Sequence, residues 1–397
     1  MYENHWKHLN QLTLAAIVVA GGRVGSDFIQ SLFDGHPEVL TFDGVLSFED
    51  FYQNAISLWG TAIQFQVHRR LERAAPSDFF YEFAWKHLYA FKSNYDNLEG
   101  KHRLGMSRDE ANQVDIEAFV RYGVQLLSGR EWTSRNAFLA LYGAFGLARG
   151  EDLSKKKVLL HHIHDMEKLP PLLEAFPNIK VIAATRDPRA GYLSTMEHTY
   201  RYSKEKVTPN MHAYVYARIL RESDPLQGRP GMDVRVNLLE RLHQSPETVL
   251  NNMCQWLGIP FHPVLLCSTW GGKEWWGDAL SDEIRKTFNP EMYAASQKKW
   301  ERNLSFQDRL LLEVLMRKKL RRYGYVIKYR ASLWHLLAFP LIFWPNRIER
   351  KLLRENLKSF GAIRLLRWIQ GLGRRYRCML QRWIAVLRSG KESFEFF

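Results

Sequence analysis

The chain is poor in cysteine: Cys254, Cys267 and Cys378 are the only three in 397 residues, far apart and odd in number. That argues against a disulfide framework and fits a reducing compartment. Unbroken apolar runs of about twenty residues, the length a membrane-spanning helix needs, are also missing. Met1 to Gln11 is polar and lacks an apolar signal region, so neither a secretory signal nor a signal anchor is expected and the chain reads as cytoplasmic. No internal repeat is evident. Two nucleotide-binding signatures are absent as well, the Gly-Lys-Ser/Thr of a Walker A loop and the G-x-G-x-x-G dinucleotide fingerprint. Acids are scarce in one region: Lys328 to Lys391 carries 15 Lys plus Arg against Glu349 and Glu355, out of a net charge of +14 for the whole chain. The rest is nearly neutral. With 46% hydrophobic and 13% aromatic residues, the chain can bury one large α/β core and an appendage.

What is present begins with Ala16 to Leu32, which reads as a buried strand, a glycine turn and a helix start. Gly21, Gly22 and Gly25 let backbone N–H groups turn inward, Arg23 adds a cation, and Ser26 is expected at the helix N-cap, where the dipole is positive. This is the composition of a phosphate cradle. It is also the composition of a plain turn.

A second strand, turn and helix follow. Asn178 to Ala184 is a β-branched apolar run, succeeded by Thr185-Arg186-Asp187-Pro188-Arg189 and a helical stretch from Ala190 to Tyr200. Pro188 suits a first helical turn. Arg186 at the strand's end and Ser194 two turns into the helix can converge on one anion at the carboxyl edge of a parallel sheet. The bland reading pairs Arg186 with Asp187 or a neighbouring carboxylate.

Together these units resemble the sulfotransferases that use 3′-phosphoadenosine 5′-phosphosulfate (PAPS) as donor. The resemblance rests on Gly21-Gly22-Arg23-Val24-Gly25-Ser26, on the Ser31 to Val39 segment behind it, and on Phe176 to Val181 leading into Arg186-Asp187-Pro188-Arg189 and Ser194. Asp233 to Asn237 and Glu247 to Pro260 look like the family's late strand and following helix, and Trp300 with Leu304 to Tyr325 like its closing helix. It covers roughly residues 14–327, discontinuously. The family's pattern implies that the first loop, through Gly22, Arg23, Val24, Gly25 and Ser26, holds the 5′-phosphosulfate, and that Arg186 with Ser194 holds the 3′-phosphate. The implied fold is α/β, a P-loop-like parallel sheet flanked by helices, with a helical insertion and a C-terminal helical tail. A bacterial member of the carbohydrate or lipid type is the closest fit.

The loop departs from that pattern. Many members have Pro at Gly22, Ser at Val24 and a hydroxyl residue at Asp27. An acid at a helix N-terminus can cap it, but beside a phosphosulfate it repels. If Asp27 points inward, donor binding weakens and a catalytically impaired relative results.

Sulfuryl transfer needs a base for the acceptor's proton and a cation for charge building on the bridging oxygen. Arg23 is placed for the second role. For the base, Val158 to Asp165 is an apolar strand running into three histidines, and His164 lies 22 residues before Arg186, the spacing at which cytosolic members place their catalytic histidine. His162 shares its strand face. Asp43, Glu49 and Asp50 are the carboxylate alternatives. No metal is expected, because adjacent His161 and His162 face opposite ways and no cysteine lies nearby.

Lys273, in the Trp270 to Asp278 segment, matches a loop that in relatives closes over the 3′-phosphate. Its alternative is a tryptophan-anchored loop on the core. Residues 51–153, with helical runs at Phe79 to Ser93 and Val114 to Leu127, are expected to form one wall of the acceptor cleft, where Arg69, Arg70, Trp85, Lys86 and Trp132 are basic or aromatic candidates. The domain division is then 1–327, catalytic, and 328–397, tail. In the tail, Leu333 to Pro345 is an aromatic patch broken by prolines, and Ile363 to Ile369 and Met379 to Arg388 are amphipathic basic helices. Across 331–388 that composition suits an anionic membrane surface, against the alternatives of packing on the catalytic region or on a second subunit. No nucleic-acid module is recognisable. The reading is therefore a PAPS-dependent sulfotransferase with a glycan, glycolipid or other hydroxyl acceptor. The alternatives are a non-catalytic nucleotide-binding protein of the same fold and a P-loop kinase-type phosphotransferase.

Overall fold

In Thr13 to Val19 every residue after Thr13 is buried and the two faces bury different cores, as expected of a central parallel strand. Leu14, Ala16 and Val18 face one cluster, while Ala15, Ile17 and Val19 face the other. The computed structural model describes residues 1–46, 48–52, 76–93, 104–164, 166–202, 209–221, 232–277, 288, 290–358, 362–388 and 395–397. Arg69 and Arg70 lie outside them.

The strands of the main sheet are β1 (Thr13–Val19), β2 (Val39–Thr41), β3 (Val158–Ile163), β4 (Lys180–Thr185), β5 (Asp233–Leu238) and β6 (Glu395–Phe396). Their order is β6-β5-β4-β1-β3-β2, every neighbouring pair parallel. The helices used below are α1 (Tyr2–Leu9), α2 (Ser26–Phe33), α3 (Pro76–Lys86), α4 (Ile116–Leu127), α5 (Ser134–Ala148), α6 (Pro188–Tyr202), α7 (Pro209–Arg221), α8 (Leu239–Gln244), α9 (Pro246–Leu257), α10 (Pro290–Asn303), α11 (Phe306–Leu315), α12 (Arg317–Arg322), α13 (Ser332–Phe343), α14 (Arg347–Lys358) and α15 (Ala362–Arg388). The expected α/β sheet flanked by helices is present.

One sheet face is covered by α1, α3, α4 and α5 through an aromatic cluster in which Phe42 stacks on Phe145 at 3.9 Å and meets Phe83, Phe91 and Phe119 edge-on. Asp115 and Thr133 cap α4 and α5 by accepting from amides of their first turns. Trp132 packs edge-on against Phe79, Lys86 lies over Phe51, and Trp85 is exposed. The run expected as one helix from Phe79 to Ser93 instead stops at Lys86, resumes over Leu88–Phe91 and becomes a strand at Lys92. The other sheet face is covered by α2, α8 and α9.

A third cluster joins α6, α7 and α11 to α13 and α15, bringing Tyr216, Leu311 and Met316 together with Ala338, Ile342 and Met379. The 328–397 helices therefore pack on the helices that flank the sheet, and β6 pairs with β5. Two expectations change here. The segments Ile363 to Ile369 and Met379 to Arg388 belong to one helix, α15, because the intervening residues keep the apolar stripe. The aromatic patch is helical through Pro340 and ends before Pro345. Likewise, the single closing helix expected over Leu304 to Tyr325 is two helices, α11 and α12, meeting at Met316. Among the described residues no helix is long and apolar enough to cross a membrane.

Candidate active site

The loop from Ala20 to Gly25 leaves the carboxyl end of β1 in the middle of the sheet. Three residues take positive φ, Gly21 at +159°, Arg23 at +51° and Gly25 at +74°, and the left-handed pair Arg23 and Gly25 turns the backbone back on itself before α2. Gly25, not Ser26, is the N-cap, and Ser26 is the first helical residue. A side chain at Gly25 would also meet Leu239, its Cβ falling 2.7 Å from Cδ1. The loop's carbonyls are tied down from behind. Ala20 O accepts from Thr185 Oγ1 at 3.0 Å and from the buried Lys319 Nζ at 2.5 Å, while Arg23 O accepts from Arg186 at 3.1 Å. With those two oxygens held, the loop runs into the positive N-terminal end of α2.

The second unit packs directly on the first. Gly191 in α6 lets the helix approach so closely that a Cβ there would lie 2.8 Å from Gly22 O, and Thr195 fills the space beside Gly22. Ser194, next to Thr195, is partly exposed. Arg186 is buried, and its guanidinium links the two units through Arg23 O. Its sequence neighbour is otherwise engaged: Asp187 accepts from the Arg189 amide at 2.9 Å and pairs with the Arg189 guanidinium at 2.7 Å, which also binds Glu313. Glu240 accepts from the Asp187 amide at 2.8 Å and from Tyr325 Oη at 2.9 Å. Burial raises the Glu240 carboxyl above the usual range, against the pull of the Arg186 charge.

The histidine strand delivers its side chains alternately. His161 points to the aromatic face, 2.7 Å from Tyr142 Oη and 3.5 Å from Glu49. His162 points to the α2 face, where its Nδ1 is 2.9 Å from Gln30 Oε1. His164 is half-exposed just beyond the strand. Asp27 stands between them, 3.8 Å from His162 Nδ1 and 3.9 Å from His164 Nε2. It is directed to the histidines from the first turn of α2.

Four other expected residues lie elsewhere. Glu49 is on the His161 side of the strand, and Asp50 pairs with Lys168. Asp43 is buried with Asp34 against Arg149, bonded by Asn112 and by the Gly271 amide. Burial and the Asp34 charge push the Asp43 carboxyl well up; Asp34 is held below the usual range because burial, which raises it, is outweighed by the Arg149 charge together with hydrogen bonds from Asp43, the Gly272 amide and Thr269. Lys273 pairs with Glu110, and its loop is fixed to Asp34 by the Gly272 amide, at the opposite end of α2 from the phosphate-type loop. The structure does not bring Lys273 to that loop. Lys319, which sequence reading missed, comes to it from α12.

A family model described as the sulfotransferase family matches residues 16–263, a span that starts in β1 and includes the loop, the histidine strand and the Arg186 unit. The chain belongs to the sulfotransferase family. It is a sulfuryl-transferring enzyme, and the matched span holds the sheet strands β1 to β5. Solved structures similar to this sulfotransferase include the sulfotransferase domain of the Synechococcus PCC 7002 olefin synthase, 17% identical over 75% of this chain and 90% of that one, with a TM-score of 0.40. The sulfotransferase domain from the curacin biosynthetic pathway is 14% identical over 80% of this chain and 99% of that one, with a TM-score of 0.42. Sulfotransferase STF9 from Mycobacterium avium is 13% identical over 83% and 81%, with a TM-score of 0.39. No curated protein matches the sequence.

Proposed function

We propose that this sulfotransferase takes its sulfuryl group from PAPS and delivers it to a hydroxyl of a glycan or glycolipid at an anionic membrane surface. One observation carries the donor assignment: the glycine loop and the Arg186 helix are locked to each other by Arg186 on Arg23 O and by the close approach of Gly191 to Gly22. A donor with two separated phosphate groups fits two such units on one sheet edge. Gly22, Val24, Gly25 and Ser26 supply loop amides to the 5′ end, and Arg186 with Ser194 supplies donors to the 3′ end.

PAPS provides an activated sulfuryl group on a phosphate oxygen. Arg23 supplies positive charge where the bridging oxygen becomes an anion. His164, half-exposed at the strand end, takes the proton of the acceptor hydroxyl as the new O–S bond forms and the old one breaks, releasing 3′-phosphoadenosine 5′-phosphate. His162, buried behind it, limits how His164 can turn, their rings meeting edge-on at 4.8 Å.

The acceptor assignment rests on the surface of 331–388. Leu333, Leu336, Trp344, Ile363, Leu366 and Ile369 are all more than half exposed, in a region whose charged residues are nearly all basic. An apolar face with a cationic flank suits anionic lipid, and an enzyme held there meets lipid-linked acceptors.

The test is calorimetry with 3′-phosphoadenosine 5′-phosphate. Binding that Arg186→Ala and Ser194→Ala each weaken by about tenfold or more, roughly 1.4 kcal/mol, is expected. No binding by the unaltered protein would remove the donor assignment. Labelled PAPS offered to a membrane extract then identifies the acceptor class.

A further inference from the structure

Asp27 occupies a position where the resemblance leads one to expect a hydroxyl, and its carboxylate lies between two imidazoles. Gln30 decides what the nearer one can do. Its Nε2 faces only acceptors or hydroxyls, namely Phe42 O, Gly44 O at 3.2 Å and Thr41 Oγ1 at 3.3 Å. Its Oε1 is therefore the atom turned to His162, and His162 Nδ1 carries a hydrogen. That nitrogen is also the one 3.8 Å from Asp27. The ligand atoms of Asp27, His162 and His164 all lie within 4.8 Å of one another, as a metal trio requires. A protonated Nδ1 cannot donate its lone pair to a cation, so the geometry favours proton chemistry over coordination.

We propose that Asp27 is a positioning residue for His164. Its carboxylate stands 3.9 Å from His164 Nε2, so that a small rotation of either side chain lets it accept from Nε2–H and present Nδ1 to the acceptor hydroxyl. The acceptor's O–H bond breaks, the proton goes to Nδ1, and the carboxylate balances the imidazolium that results. Among the described residues, the groups facing His164 include Asp27 from α2 and His162 of β3. Asp27 itself lies in the first turn of α2, at the positive end of that helix. The position thus exchanges a phosphate-binding hydroxyl for a base-orienting acid, at some cost to donor affinity.

This rests on the sulfuryl-transfer reading, and three variants of the full chain separate the two. Asp27→Thr should bind 3′-phosphoadenosine 5′-phosphate at least as tightly as the parent while losing ten- to hundredfold in kcat. Asp27→Asn should lose kcat similarly, with the acidic limb of its pH profile moved to lower pH, since the neutral amide no longer favours the charged imidazole. Asp27→Glu should recover part of the rate. Retained kcat and an unmoved acidic limb in Asp27→Asn would overturn the proposal. So would a kcat loss in all three accompanied by lost product binding, which would mark Asp27 as a structural residue of the loop. If the unaltered protein binds the product but transfers no sulfuryl group, the catalytic reading fails first, independently of Asp27.

Discussion

At the scale of single residues, the site is built by close approach. Gly25 is demanded by a left-handed φ and by Leu239, whereas Gly191 has helical geometry and is demanded only by the carbonyl of Gly22. A Gly191→Ala exchange therefore separates folding from binding. Alanine in a helix interior is favoured over glycine by up to about 1 kcal/mol, but here its Cβ must push the loop aside. We expect a melting temperature changed little and product affinity reduced about tenfold, read by calorimetry. Unchanged affinity would mean that the loop moves freely without penalty. What was legible in the sequence was local: the glycine turn ahead of α2, which needs a left-handed φ at Gly25, and the opposed strand faces of His161 and His162. Asp27, Lys319 and Gln30 were not legible. Their roles depend on which way a helix start turns and on a lysine 299 residues from the carbonyl it binds, and neither leaves a periodic trace.

At the scale of elements, strand positions followed from β-branched runs, and the sheet could be anticipated because both of its faces are buried. Helix boundaries in the basic region could not, since the same leucine and arginine pattern fits one long helix or two short ones. The packing there depends on a polar contact as well as an apolar one. Arg375 of α15 is fully buried, its Nε 2.6 Å from Glu349 of α14, with further bonds to Trp344 O and Met379 Sδ. Removing the acid leaves an unpaired buried cation. Glu349→Ala should cost about 3–5 kcal/mol, seen as a lower urea midpoint, while Lys351→Ala at an exposed position of the same helix should have little effect. If both variants unfold together with the parent, the pair contributes nothing to the docking of α15.

At the scale of the whole molecule, positive charge and exposed apolar area coincide in 331–388 while the sheet region is close to neutral. The same helices that turn Leu336, Trp344 and Ile363 outward bury Ala338, Ile342 and Met379 against the body, so the outward face can be changed without opening the core. Leu336→Glu, Trp344→Glu and Ile363→Glu combined should abolish co-sedimentation with phosphatidylglycerol vesicles and leave the melting temperature nearly unchanged. Phosphatidylcholine vesicles should capture even the parent poorly, because each cation near an anionic surface adds about 1 kcal/mol that a zwitterionic one does not supply. Equal sedimentation of parent and variant would exclude lipid as the partner of this face.

The short strand β6 gives the molecule a chronology. It pairs Glu395 and Phe396 with Arg235 and Val236, and Phe397 packs on Trp256, so the outer edge of the sheet is supplied by residues translated after every catalytic group. A ribosome paused beyond α15 holds a nascent chain with its loop, histidines and Arg186 already made, yet with the β5 edge open to any strand that passes. That edge stays open until Glu395 and Phe396 have been made and have paired with Arg235 and Val236.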